Sequence, residues 1–134
     1  MSLEQLIAQS DGGWTVDLDE RNVTDRDMRV VVKNAIVKKR CKRIRLRDNH
    51  ITSEGALILA NGLQHNVLLE SLDLRNNCIG DKGVQVLAPA VARSNLKTLN
   101  LESNDITCEG AVFLAQMLRS NNSLTELYLS KNQL

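Results

Sequence analysis

Two hydrophobic registers take turns along this chain. The first is read most clearly over residues 69–79, where apolar and asparagine positions run Leu69, Leu72, Leu74, Asn77, Ile79 with polar residues between. The phrase returns as Leu96, Leu99, Leu101, Asn104, Ile106 and again as Leu124, Leu127, Leu129, Asn132, Leu134. A looser copy precedes them as Cys41, Ile44, Leu46, Asn49, Ile51. First positions at 41, 69, 96 and 124 give steps of 28, 27 and 28 residues. Alternation within Leu72-Asp73-Leu74 predicts a short strand, both leucines in the core and Asp73 on the opposite face. Between phrases the spacing changes to i, i+3, i+4, i+7. The sets are Ala56/Leu59/Ala60/Leu63, Val84/Leu87/Ala88/Val91 and Ala111/Leu114/Ala115/Leu118, which predicts three amphipathic helices with these residues inward. A unit repeated at this period cannot bury its own apolar face and must stack on its neighbours, so the chain is expected to be a solenoid.

The helix starts are legible. Thr52 and Ser53 precede Glu54, Asp81 precedes Lys82 and Thr107 precedes Glu109, all plausible caps. Pro89 falls inside the second helical stretch, where its missing N–H predicts a kink or an early end. Residues 13–40 look irregular until shifted by 28. Val16 and Leu18 then align with Ile44 and Leu46, and Met28, Val31, Val32 and Ala35 with the inward set of the next helix. This is a degenerate first repeat, with Arg21 at the asparagine position. Leu3, Leu6 and Ile7 have helical spacing before the break at residues 10–13, and a short helix there would cover the open apolar end of the first repeat.

The repeated phrase is similar to the leucine-rich repeat signature. Its long, helix-containing form, with Gly55, Gly83 and Gly110 before the inward sets, resembles the ribonuclease-inhibitor-like subfamily, to which the repeats of NOD-like receptors and of the Ran GTPase-activating protein belong. The resemblance covers residues 41–134 well and 13–40 weakly. It implies an α/β leucine-rich-repeat solenoid, a curved right-handed β-α superhelix with a parallel concave sheet and convex helices. The expected organisation is one domain over residues 1–134: a capping helix in 1–12, the degenerate repeat in 13–40, full repeats in 41–68, 69–95 and 96–123, and a partial repeat in 124–134. The strand edge after Leu134 has no closing repeat. The chain is therefore expected to be a piece of a longer array, or to associate through that edge as a homodimer, or to tolerate an open end.

The asparagines need a structural reading. Each stands where the strand ends and the chain turns, leaving backbone groups unpaired inside. An amide both donates and accepts, so Asn49, Asn77, Asn104 and Asn132 are expected to form a structural ladder from turn to turn.

Composition changes this picture little. The formal charge is +1, from 17 basic and 16 acidic residues, and names no partner. An aromatic fraction of 2% argues against a base-stacking platform, so nucleic acid is an unlikely ligand class. No apolar run approaches the roughly 18 residues of a membrane span. The three cysteines make neither a Cys-x-x-Cys nor a Cys/His cluster, so no metal site, cofactor or disulfide framework is expected and the chain reads as cytoplasmic. Cys41 takes a leucine position and is expected to be buried; Cys78 and Cys108 fall in turns. His50 and His65 lack an evident acid partner, and no catalytic site or enzyme activity is expected.

Function in such an array is expected on the outward strand positions. Five strands about 4.8 Å apart make a band about 19 Å wide, suited to a helix or loop of a partner protein. The candidate contacts are Arg43, Arg45, Arg47, Asp73, Arg75, Asn100, Glu102 and Tyr128. Seven of the ten residues 38–47 are basic. Either they receive an acidic segment, or Asp17, Asp19 and Asp73 on neighbouring strands neutralise the arginines. Tyr128, the single tyrosine, is a candidate anchor or an ordinary half-exposed residue. Trp14 is expected to pack between the first helix and the strands. Val30, Ile58, Val86 and Phe113 form a second apolar column, either lateral packing between helices or a convex binding stripe. The primary expectation is a non-enzymatic protein-interaction module binding through the concave face. The resemblance also allows a regulator of a small GTPase acting through Arg45 or Arg75, or a sensor fragment of a NOD-like receptor. A nucleic-acid binder using residues 38–47 would lose affinity steeply with salt.

Overall fold

The computed structural model describes residues 1–10, 14–64 and 66–134. The break at residues 11–13 and His65 lie outside the described residues. After helix α1 (Leu3–Ala8) come β1 (Thr15–Asp17), a 3-10 turn (Asp25–Asp27) and α2 (Met28–Val31), which runs directly into a π-helical segment (Val32–Lys38). Then strand and helix alternate: β2 (Arg43–Arg45), α3 (Ser53–Leu63), β3 (Ser71–Asp73), α4 (Gly80–Ala92), β4 (Thr98–Asn100), α5 (Cys108–Ser120) and β5 (Glu126–Tyr128). The strands form one parallel sheet in chain order, with Ile44 opposite Leu72, Leu72 opposite Leu99 and Leu99 opposite Leu127. Each return passes through a helical segment on the same side, as right-handed parallel crossovers require. Strands sit about 4.8 Å apart and packed helices about 8–10 Å apart, so the stack bends toward its sheet.

The core lies between the layers. Val16, Ile44, Leu72 and Leu99 from the strands, with Leu59, Leu87 and Leu114 from the helices, are almost fully buried. Small Ala56 and Ala60, also buried, let α3 lie close to the sheet. α1 packs on α2 and the π-helical segment, and buries Ile7 while Leu3 and Leu6 lie against the same core. Cys41 is fully buried and its thiol pKa is pushed up to about 11 by that burial. Ile58, Val86 and Phe113 are half-buried against the core, the lateral-packing arrangement.

Several expectations are corrected. α4 does not stop at Pro89 but continues to Ala92, because only one backbone donor is lost and the neighbouring helices hold both sides. Ala115 and Leu118 are exposed, Leu118 to 49%, since among the described residues α4 is the helix packed on α5 and none covers the face that α4 covers on α3. Trp14 is not packed inside; it is 54% exposed, with the Lys42 ammonium 4.3 Å from its ring centroid.

The caps of α3 and α5 are shared between repeats. Thr52 and Thr107 accept from Glu54 N–H and Glu109 N–H within their own turns. Asp81 was expected to cap α4, yet its carboxylate turns to the following repeat. It accepts from Thr107 N–H at 2.8 Å, Gly110 N–H at 3.0 Å and the Thr107 hydroxyl at 2.5 Å. Asp25 makes the same three bonds to Thr52 N–H, Gly55 N–H and the Thr52 hydroxyl. At the intervening junction Ser53 stands in the aspartate's place and Gly80, with a positive φ of 65°, in the threonine's. The threonine bonds hold the Asp81 carboxyl below its ordinary pKa. A depressed native pKa contributes stability above the unfolded value of about 3.9, and that contribution is lost as pH falls through the native pKa. Urea midpoints measured from pH 7 to 3 are therefore expected to fall at the acid end, and to fall less in Asp81→Asn, whose amide does not titrate.

Candidate functional site

The sheet face opposite the helices carries three rows of side chains. Across the strand starts run Thr15, Arg43, Ser71, Thr98 and Glu126; across the strand ends run Asp17, Arg45, Asp73, Asn100 and Tyr128. Two residues further along each repeat come Asp19, Arg47, Arg75, Glu102 and Ser130. All eight candidate contact residues stand in these rows, because alternation sends every second side chain of a strand away from the core.

The asparagines fix the turn below the rows. Asn77 Nδ2 donates to the carbonyls of Leu46 at 2.9 Å, Leu74 at 3.0 Å and Arg75 at 3.3 Å, and its Oδ1 accepts from Ile51 N–H at 3.0 Å. Asn49 accepts from Arg21 N–H and Val23 N–H while donating to Leu18 and Leu46. Asn104 donates to Leu74 and accepts from Ile79 N–H; Asn132 donates to Leu101 and accepts from Ile106 N–H. Thus each amide ties its own turn to the previous repeat. The residue before each one, Asp48, Asn76, Ser103 and Lys131, has a positive φ of 53–58°, as does Glu20 before Arg21. This left-handed corner recurs without a glycine, and no sequence pattern marked it.

The charges on the face largely answer one another. Arg45 reaches Asp19 at 2.8 Å and Asp17 at 3.8 Å; Arg47 reaches Asp48 at 3.2 Å and its N–H donates to Asp19 Oδ1 at 2.7 Å. Asp19 is the hub, its side chain only 8% exposed. Asp73 does not serve Arg45, as cross-strand pairing had suggested; it pairs at 3.0 Å with Arg75 two residues on, because the two side chains leave the same face of one chain segment. That bond raises the Arg75 pKa. Arg43 has no carboxylate among the described residues and donates instead to Thr15 Oγ1 at 3.1 Å.

The far end of the face is differently built. Glu102 accepts from Ser130 Oγ at 2.5 Å and from Asn100 Nδ2 at 3.2 Å, which lowers its pKa, the serine bond first. The Tyr128 hydroxyl donates to Glu126, and that carboxylate raises the phenol pKa. Tyr128 is 41% exposed. The basic run is thus split: Arg45 and Arg47 are neutralised within the sheet, while Lys38, Arg40 and Arg43 are exposed outside these pairs. Among the described residues no group of three or more His, Cys, Asp and Glu side chains converges as a metal site, and no helix is long and apolar enough to cross a membrane. The His50 ring lies 3.4 Å from Asn22 Oδ1, and Cys78 and Cys108 are exposed free thiols.

The comparisons agree with this architecture. A family model described as "Leucine Rich repeat" matches residues 42–60, 65–88, 93–115 and 120–134, more than half of the chain. Mouse (Mus musculus) ribonuclease inhibitor is 34% identical over 93 residues, which are 68% of this chain and 20% of that protein. Human (Homo sapiens) NACHT, LRR and PYD domains-containing protein 5 is 30% identical over 136 residues, covering 98% of this chain and 11% of that protein. The chain therefore spans a fifth or less of these two relatives. A solved structure, Leiomodin-1 Actin-Binding Site 2, superposes with a TM-score of 0.81 at 20% identity, covering 94% of this chain and 75% of that one, and so shares the fold. Matched repeats, a parallel sheet in chain order and asparagine-tied turns have one reading: the chain belongs to the leucine-rich repeat family, with repeats of the ribonuclease-inhibitor-like kind.

Proposed function

We propose that this protein is a non-enzymatic interaction module that binds a partner protein through its concave sheet face. The observation that supports this most is the state of that face: five adjacent strands present side chains with no element over them among the described residues, already ordered by ion pairs and hydrogen bonds. Side chains held in place before contact lose less freedom on binding. Arg43 at one end and Tyr128 at the other are the groups with most left to offer. The first has no ionic partner among the described residues, and the second is an exposed aromatic of the kind that anchors interfaces. Asn100, Glu102, Asp73 and Arg75 would supply oriented polar contacts between them. The face that Arg45 and Arg75 would need for acting on a nucleotide is already engaged by Asp17, Asp19 and Asp73, which favours protein binding over regulation of a small GTPase. Three free cysteines, two of them exposed, fit a reducing compartment, and we assign the protein to the cytoplasm.

The test is capture of partners on the immobilised chain, read by mass spectrometry, against the double variant Arg43→Glu/Tyr128→Ala. Arg45 is left intact because its removal would strip Asp19 of its nearer cation, leaving only Arg47 at 3.8 Å among the described residues. The expected result is that a saturable partner of the wild type is lost by at least about tenfold, equivalent to about 1.4 kcal/mol, with the melting curve unchanged. Equal capture by the variant would refute the concave site. Exposed Leu118 with half-buried Leu127 and Leu129 beside the β5 edge supports self-association as a second use of this fold, and sedimentation of wild type against Leu129→Lys decides it.

A further inference from the structure

The opposite side of the first two repeats carries a groove that concave binding leaves unused. Its floor is aliphatic: Val32 and Val37 from the π-helical segment, Leu57 and Ile58 from α3, and Val67 from the following loop. Two hollows of about 570 and 260 Å³ meet there, sharing Val37 and Gly62. Val37, Leu57 and Val67 are 64%, 47% and 67% exposed, an unusual concentration of bare aliphatic side chains on one patch. The local backbone makes it so. The helix after Met28 opens into wider turns over Val32–Lys38, closed by Lys39 N–H donating to the Asn34 carbonyl at 2.9 Å. Such segments frequently mark functional sites. Gly62 lets α3 meet that segment: a Cβ there would stand 2.6 Å from Val32 Cγ1.

The rim decides what the groove is for. Its charged residues are Arg29, Lys33 and Arg40, and no carboxylate lines either hollow among the described residues. None of the three cations makes an ion pair among those residues. This is not a property of the repeat, because the corresponding hollow between α4 and α5, lined by Pro89, Ala92, Phe113, Gln116, Met117 and Ser120, carries no charged residue among the described residues. No strand edge borders the groove, so a partner cannot extend the sheet there; an apolar floor with a charged rim is the geometry that takes an amphipathic helix.

We infer that this groove docks an acidic amphipathic helix of a partner protein, with aliphatic anchors between Val37, Leu57 and Val67 and carboxylates against Arg29, Lys33 and Arg40. The occupant is not a second copy of this chain. α5 offers exposed Val112 and Leu118, but it carries Arg119 beside them and only Glu109 in its first turn.

The experiment uses two labelled, hydrocarbon-stapled helical peptides of about five turns with the same leucine face. The polar face is Glu and Gln in one and Lys and Gln in the other, and binding to the whole chain is followed by fluorescence anisotropy. The Glu peptide is expected to saturate at least about tenfold more tightly than the Lys peptide. Leu57→Ser should weaken it about tenfold, and Arg29→Glu/Lys33→Glu should reverse the preference, each variant keeping the wild-type melt. Arg43→Glu/Tyr128→Ala should leave it unchanged, so failure of the groove and failure of the concave face are read separately. Four outcomes overturn the assignment: neither peptide saturates; both bind alike; Leu57→Ser has no effect; or Leu57 instead proves necessary for a dimer in sedimentation or for binding to phosphatidylserine vesicles.

Discussion

Asn77→Ala is expected to destabilise the fold by about 3 kcal/mol, a large share of the roughly 5–15 kcal/mol that holds a domain of this size. The amide sits 5% exposed between two repeats. Its removal leaves Ile51 N–H without its acceptor and takes one of two amide donors from each of the carbonyls of Leu46 and Leu74, which keep the bonds from Asn49 and Asn104. Each buried group left unpaired costs about 1–3 kcal/mol, and the alanine methyl is too short to replace any of these bonds. Because stability in a stacked array is a sum of repeat and interface contributions, loss at the junction of the second and third repeats should also weaken cooperativity. A urea melt would show a lower midpoint, and a broadened or two-step transition would locate the loss at that junction. A midpoint within experimental error of the wild type would refute the ladder's role.

Gly55→Val is expected to cost about 2–3 kcal/mol, although valine is a better helix former than glycine. A Cβ at this position would stand 2.4 Å from Asp25 Oδ1, 2.8 Å from Ile51 Cγ2 and 3.1 Å from Met28 Cγ. The carboxylate occupies that space because it accepts the Gly55 and Thr52 N–H groups, so the side chain and the inter-repeat clamp cannot both be present. Gly83→Ala makes the control: its Cβ would meet mainly Ile79 of its own turn, with no carboxylate among its three nearest neighbours. In hydrogen exchange, Gly55→Val should release the amides of Thr52 and Gly55, while those of Thr107 and Gly110 keep their protection from Asp81. If all four amides stay protected, the clamp is not what the glycine serves.

These cases show where sequence reading stops. The period, the strand phrase and the inward helix positions were legible because a leucine in the wrong register would face water. Burial therefore writes itself into the spacing, as at Leu72, Leu74, Leu59 and Leu87. The parallel order of the strands followed, since a repeat that cannot bury its own face has only its neighbour to use. What the spacing could not carry was any bond between residues about 26–30 positions apart whose partners are individually unremarkable. Asp81 reads as a helix cap on local rules and becomes an inter-repeat clamp only when the next turn is placed beside it. The arginine row left two readings open, an acidic partner segment or pairing with Asp17, Asp19 and Asp73; stacking the first repeat beside the second consumes Arg45 and Arg47 and leaves Arg43. Trp14 reads as packing between the first helix and the strands, but the turn just before β1 leaves it exposed beside Lys42. Of the convex groove the sequence marked only Ile58, in the second apolar column; its shape arises from a π-helical widening at Val32–Lys38 and a glycine across from it. Hydrophobic periodicity, a one-dimensional demand on burial, determined the architecture; the pairing of charges and the shape of the exposed surface are contacts across repeats, and only stacking the repeats decides them.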